Sequence, residues 1–167
     1  KLTNILNRYG KNVLLTYGGG SIKRNGIYDK VCSLLKEFNI TELSGIEPNP
    51  RIGTVRKGVE LCRKNDIDVI LAVGGGSTID CSKVIGAGYY YEGDAWDLVK
   101  DSSKIDKVLP IVTVLTIAAT GSEMNKGAVI SNPETNEKLG TSSKNMYPKA
   151  SILDPEYTFS LPTIQTA

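Results

Sequence analysis

Short apolar runs alternate along the chain with stretches of helical periodicity. Residues 12–17 are mostly apolar and stop at Gly18-Gly19-Gly20, so they read as a buried strand feeding a glycine-rich turn. Tyr28, Val31, Cys32 and Leu35 then recur at the spacing of one helix face. Residues 40–43 are a second strand candidate, and Pro48-Asn49-Pro50 is a rigid loop in which each proline fixes its own φ. Thr54 is placed to cap a helix whose stripe is Val55, Val59 and Cys62. Residues 68–73 are the strongest strand, a continuous apolar run of the kind buried on both faces of a parallel sheet. The run stops at Gly74-Gly75-Gly76-Ser77, where a helix opens with Cys81, Val84, Ile85 and Gly88 on one face. Residues 89–107 read as an aromatic and acidic loop with a short helix near Trp96. Residues 110–115 form another strand and run into a small-residue loop at 118–122; residues 128–130, 138–140 and 151–154 are shorter strand candidates. Strand, turn and helix repeat three times, which predicts an α/β fold: an open, mostly parallel Rossmann-like sheet flanked by helices. Right-handed crossovers then place the small-residue loops along one edge, where such sheets bind ligands.

The chain has 167 residues, a length that suits one domain, and neither a repeat nor a linker divides it. Twenty Lys and Arg against 18 Asp and Glu leave a net charge of +2, too small a field to argue for nucleic acid. No apolar run reaches the ~18 residues of a membrane span. The chain has no histidine, which removes a histidine triad, a histidine base and an imidazole metal ligand. Its three cysteines, Cys32, Cys62 and Cys81, form no CxxC pair and sit at helical spacing among apolar residues. An odd, unpaired set suits core packing in a reducing compartment, so the cytoplasm is expected. The start, Lys1-Leu2-Thr3-Asn4, has no long apolar segment and no initiator Met, so the chain is expected to begin inside a longer protein.

The loops at 18–21, 74–77 and 118–122 share one design, in which small residues follow a strand and let the backbone approach a ligand. A helix N-terminus behind such a loop adds unpaired N–H donors and partial positive charge, which favour a phosphate or pyrophosphate. Ser77 and Thr78 add hydroxyls; Ser77 can also act locally as a helix cap, with Asp80 completing a capping-box variant. The common fingerprints are absent. GxGxxG counted from Gly74 meets Ile79, and counted from Gly18 it meets Lys23; Walker A and Tyr-x-x-x-Lys patterns are missing too. An NAD site often places an acid near the first strand end for the ribose 2′-hydroxyl. Here that place holds glycine and serine with Lys23 and Arg24 just beyond, which favours NADP over NAD; the bland alternative is that the two cations are a solvated helix start.

Five segments together resemble the iron-containing (group III) alcohol dehydrogenases, in particular the NAD(P)H-dependent butanol dehydrogenase or aldehyde reductase branch. They are Tyr-Gly-Gly-Gly-Ser-Ile-Lys at 17–23, Gly-Ile-Glu-Pro-Asn-Pro at 45–50, Leu-Ala-Val-Gly-Gly-Gly-Ser-Thr-Ile-Asp at 71–80, Leu-Thr-Ile-Ala-Ala-Thr-Gly-Ser-Glu-Met-Asn at 115–125 and Ile-Leu-Asp-Pro-Glu-Tyr-Thr at 152–158. The resemblance implies a dehydroquinate synthase-like N-terminal domain. It also implies roles for single positions. Gly18, Gly19, Gly20 and Ser21 would lie by the adenosine ribose and its 2′-substituent, and Asn49 would contact ribose or phosphates. Gly75, Gly76 and Ser77 would hold the pyrophosphate, with Asp80 ordering that turn. Thr116 and Thr120 would line the cofactor channel, Lys138 would reach the nicotinamide ribose, and Leu161 would border the nicotinamide. For Thr116 and Thr120 strand packing, and for Lys138 an exposed cation, remain alternative readings.

The implied reaction of the intact parent is reversible hydride transfer between NAD(P)H and an alcohol/aldehyde pair such as butanol and butyraldehyde. A divalent metal, iron or zinc, would polarise the carbonyl there. The family's metal site uses one Asp and three His from a helical domain, and this chain matches none of them: it has no His, and Asp154 matches the Asp of an Asp-Pro turn instead. The family's opening strand is likewise expected before Lys1. The expectation is therefore a dinucleotide-binding domain over residues 1–167, with no catalytic or metal residue of its own, inactive alone and homodimeric as the intact enzyme. Two alternatives stay open: a glycerol dehydrogenase-like or dehydroquinate synthase-like domain, and a non-catalytic nucleotide-binding module.

Overall fold

The computed structural model describes residues 1–117 and 120–153. Five strands form one parallel sheet: β1 (Asn12–Thr16), β2 (Asn39–Leu43), β3 (Val69–Gly74), β4 (Ile111–Leu115) and β7 (Ala150–Leu153), in the order β2-β1-β3-β4-β7. The chain runs from β1 outward to β2 and then returns to the other side of β1 as β3. The reversal falls between β1 and β3, and the carboxyl ends of the strands at such a point are where sheets of this kind take ligands.

Period-two alternation gives the sheet two buried faces. Val13 and Leu15 of β1, Val69, Leu71 and Val73 of β3, and Val112 and Val114 of β4 pack in one cluster with Leu2 and Leu6 of α1 (Leu2–Asn7) and Ile27 and Val31 of α3 (Ile27–Leu34). Leu14, Ile70 and Ile111 point the other way. They meet Val55, Val59 and Cys62 of α4 (Ile52–Lys64), Cys81, Val84 and Ile85 of α5 (Gly76–Tyr90), and Trp96 and Val99 of α6 (Ala95–Lys100). All six residues of β3 are buried, as its unbroken apolar run requires.

The three strand–turn–helix repeats are β1 to α3, β2 to α4 and β3 to α5; beyond β4 the described chain passes through a 3-10 turn, Ser122–Met124, to β5 (Gly127–Asn132) and β6 (Glu137–Ser142). These two pair antiparallel as a hairpin outside the main sheet. Of the short strand candidates, only the last joins the main sheet; its Asp154 lies outside the described residues. One expectation needs correction: Thr54 does not cap α4. Arg51 is the cap position, and the Glu47 carboxylate accepts both the Arg51 amide at 2.7 Å and the Thr54 hydroxyl at 2.9 Å. An acid four residues upstream thus supplies the acceptor for which threonine had seemed suited. Among the described residues, no helix is long and apolar enough to cross a membrane.

Candidate functional site

The turn after β3 passes directly into α5. Gly75 is the cap residue, with φ −98° and ψ −162°, and no side chain caps the helix. The local roles expected of Ser77 and Asp80 are therefore not the ones adopted: Ser77 lies inside the first turn, and Asp80 Oδ2 accepts the Val129 amide of β5 at 3.0 Å. With no capping side chain, the first-turn amides keep their donor capacity at the positive end of a 15-residue helix.

Across from this turn stands the β5–β6 hairpin. Between them lies a cleft of about 670 Å³, lined by Asn49, Gly76, Ser77, Asp80, Thr120 and Lys138 together with residues 125, 127–129 and 140–142. Lys138 of β6 donates to Asn49 Oδ1 at 2.7 Å, which bridges the far side of the cleft. Asn49 adopts φ +56°, a left-handed conformation that Asn tolerates better than most residues. The Ser131 amide donates to the Pro50 carbonyl at 2.9 Å, so the Pro-Asn-Pro loop also anchors the hairpin. The Thr120 and Ser122 hydroxyls are 2.9 Å apart on the remaining wall. Burial is the largest influence on the Asp80 carboxyl and raises its pKa, against the opposing pull of the Val129 amide and of Lys83.

The turn after β1 builds a smaller groove of about 280 Å³, lined by Tyr17, Gly18, Gly19, Gly20, Lys23, Ser44 and Gly45. Ser21 opens α2 (Ser21–Arg24) beside it. The Lys23 ammonium lies 4.8 Å from the centroid of the Tyr28 ring and 5.6 Å from that of Tyr17, within cation–π range. Both tyrosine hydroxyls donate to the Glu42 carboxylate, at 2.9 Å from Tyr17. Burial raises the Tyr17 pKa, and so does Glu42; the hydrogen bond to Glu42 does the same for Tyr28.

The structure thus brings Asn49, Gly76, Ser77, Asp80, Thr120 and Lys138 to one cleft, and Gly18, Gly19 and Gly20 to a groove. Gly75 sits between β3 and the first turn of α5, and Thr116 is buried with its amide on the Gly74 carbonyl. Thr116 therefore belongs to strand packing behind the cleft, outside its lining. Leu161 lies outside the described residues. Sequence reasoning named the loop that ends at Ser122 but missed Asn125 and the Gly127–Val129 edge, the latter reaching the cleft because the hairpin folds over it. The signal at hand was the absence of helical periodicity after residue 122.

The donor set does not suit a transition metal. The chain has no histidine, and among the described residues no group of three or more Cys, Asp or Glu gathers. Cys62 and Cys81 are buried free thiols; burial pushes the Cys62 pKa up to about 12 and raises that of Cys81 as well, so neither is a ready thiolate.

A sequence model of iron-containing alcohol dehydrogenases matches residues 1–155. The chain is 65% identical over 164 residues to NADH-dependent butanol dehydrogenase A of Clostridium acetobutylicum, covering 97% of this chain and 42% of that protein. It is 44% identical over 158 residues to the NADPH-dependent aldehyde reductase YqhD of Escherichia coli, covering 93% and 41%. The crystal structure of NADH-dependent butanol dehydrogenase A from Thermotoga maritima superposes with a TM-score of 0.94 at 49% identity, over 98% of this chain and 42% of that one. The chain thus spans about two-fifths of the length of these relatives.

Proposed function

The chain belongs to the iron-containing alcohol dehydrogenase family, and from that premise we propose that it is the dinucleotide-binding part of an NAD(P)H-dependent oxidoreductase acting on an alcohol/aldehyde pair such as butanol and butyraldehyde. The observation that carries this reading is the convergence of Asn49, Gly76, Ser77, Asp80, Thr120 and Lys138, from separate stretches of chain, on one cleft beyond the carboxyl end of β3 in a parallel sheet. The first turn of α5 offers donors to a pyrophosphate, and glycine at 75 and 76 allows close backbone approach. Lys138 and Asn49 are placed to hydrogen-bond ribose hydroxyls from the opposite wall. Hydride is the chemistry that a nicotinamide dinucleotide supplies when bound. The chain's own residues bind it and orient it.

For the 2′-position we propose a preference for NADP. The groove after β1 carries the Lys23 ammonium and no carboxylate among its lining residues, while Glu42 is engaged by two tyrosine hydroxyls. Relatives named as NADH-dependent and as NADPH-dependent both occur, so the deciding experiment is a parallel titration of the chain with NADPH and NADH. NADPH should bind more tightly. Equal or tighter NADH binding overturns the preference, and failure of both to bind overturns the site.

With no histidine in the chain and no gathered Cys, Asp or Glu among the described residues, the residues present do not fit the family's metal. We propose that metal and carbonyl chemistry belong to a helical domain outside this sequence, and that the intact enzyme is a cytoplasmic homodimer. The dialysed chain should then retain far less than one iron or zinc per molecule and should not reduce butyraldehyde with NADPH after metal is added back. Stoichiometric metal or restored turnover would relocate the active site to this chain.

A further inference from the structure

Helix α5 carries a lysine with no solvent-exposed surface. The Lys83 ammonium donates to three oxygens: the Asn125 carbonyl at 2.9 Å, Asn125 Oδ1 at 3.0 Å and the Gly127 carbonyl at 2.9 Å. One turn earlier on the same helix, Asp80 Oδ2 takes the Val129 amide at 3.0 Å. Two side chains of α5 therefore hold residues 125, 127 and 129 as a set, and all three of those residues line the cleft. Lys83 itself lies one layer behind that wall.

Burying a lysine charge is costly even when its hydrogen bonds are made. Burial lowers the Lys83 pKa to about 8, against the pull of the two carboxylates that face it, Asp80 on its own helix and Glu123 on the adjoining 3-10 turn. An apolar side chain of similar length would fill the same space but leave the Asn125 carbonyl, Asn125 Oδ1 and the Gly127 carbonyl without this donor. The fold keeps a charged donor behind the surface that an anion is to occupy.

We propose that Lys83 is a positioning residue for the dinucleotide: its ammonium fixes the 125–129 wall of the cleft and holds positive charge immediately behind it. The proposal rests on the reading of this cleft as the dinucleotide site. A pyrophosphate in the cleft favours the charged form of Lys83. Binding therefore draws a proton onto Lys83 wherever the free chain has lost it, and affinity declines as pH rises through about 8.

The test is calorimetric titration of the purified chain with NADPH at pH 7 and pH 9, in two buffers of different ionisation enthalpy. The unaltered chain should bind several-fold more weakly at pH 9 and take up protons on binding. Lys83→Met should bind at least about tenfold more weakly at pH 7, as loss of charged hydrogen bonds implies, with a flat pH profile and no proton uptake. Lys83→Arg, whose charge does not titrate here, should restore affinity at pH 7 and hold it at pH 9. Wild-type affinity in folded Lys83→Met overturns the proposal. If that variant does not fold, a Lys83→Arg profile that falls like the wild type overturns it. If the unaltered chain binds no dinucleotide, the reading of the cleft fails separately, and amide exchange judges Lys83. Faster exchange in Lys83→Met confined to residues 122–142 supports positioning; unchanged or uniformly faster exchange refutes it.

Discussion

The two glycine triplets are identical as sequence and different as structure. At the end of β3 the triplet is packed. A Cβ on Gly74 would stand 2.6 Å from Thr78 Oγ1 and 3.0 Å from Thr78 Cβ, and one on Gly76 would stand 2.2 Å from Thr120 Oγ1. At the end of β1 it is open: a Cβ on Gly19 meets nothing within 4 Å, and one on Gly18 first meets the Ile46 carbonyl at 3.2 Å. The helix behind β3 has 15 residues, whereas the one behind β1 has 4 and stops before Gly26, which is left-handed. One triplet therefore lets a strand and a long helix close on each other and leaves amides free at the helix end. The other leaves room beside a cation. Glycine at 74 and 76 answers the protein's own packing; at 75, as at 18 and 19, it leaves room for what is to lie there.

The largest effect should come from the packed side. At Gly75 the backbone is extended and a Cβ would make ordinary contact with Ile117 Cβ at 3.5 Å, so Gly75→Val is compatible with the fold. Its methyl groups would crowd the first turn of α5. NADPH affinity should fall at least about a hundredfold, roughly 2.7 kcal/mol, with the circular dichroism spectrum unchanged. Unchanged affinity in the folded variant would remove the pyrophosphate from this turn.

Next in size is a stability contrast between the triplets. Thr78 is buried, short and β-branched, so it has little freedom to retreat from a new methyl group on Gly74. Gly74→Ala should cost about 1–3 kcal/mol by overpacking, and Gly19→Ala should be neutral or stabilising by about 0.5 kcal/mol through the unfolded chain. Urea denaturation of the pair decides it. Equal stability of the two variants would erase the distinction between packed and open.

Much of this contrast was invisible before the structure, for physical reasons. The open parallel sheet was legible because β1, β3 and β4 are mostly apolar runs, unbroken in β3, and each is followed by small residues. Cys62, Cys81, Val55 and Val59 were legible as core because helical spacing reports burial directly. The hairpin was harder to read. Residues 127–132 and 137–142 form a half-exposed antiparallel pair whose alternation is shallow, and nothing local says that the pair folds back over the N-terminus of α5. The Asn49–Lys138 contact links residues 89 apart, a tertiary fact with no local signature. Lys83 was hidden most deeply. A lysine on a helix is ordinarily solvated, and only the carbonyls of Asn125 and Gly127 arriving from another element make it a buried one.

The smallest effect tests the open triplet for ligand selectivity alone. Gly19 has space on every side, so Gly19→Asp adds a carboxylate without displacing any neighbour. The new charge would sit in the groove that holds the Lys23 ammonium, where it can pair with that cation and repel a phosphate. An exposed site in high dielectric limits the interaction to about 1–1.5 kcal/mol at physiological salt. NADPH should therefore weaken roughly tenfold or less, and NADH should be unaffected or gain through a hydrogen bond from its 2′-hydroxyl to the new acid. Unfolding midpoints should stay within experimental error of the parent. Raising salt should narrow the difference between the cofactors in the parent and in the variant, since screening acts on both the cation and the introduced acid. Loss of both cofactors to the same extent would show that Gly19 is needed for backbone approach, as at the packed triplet. The two turns would then do one job, and the open groove would carry no selectivity.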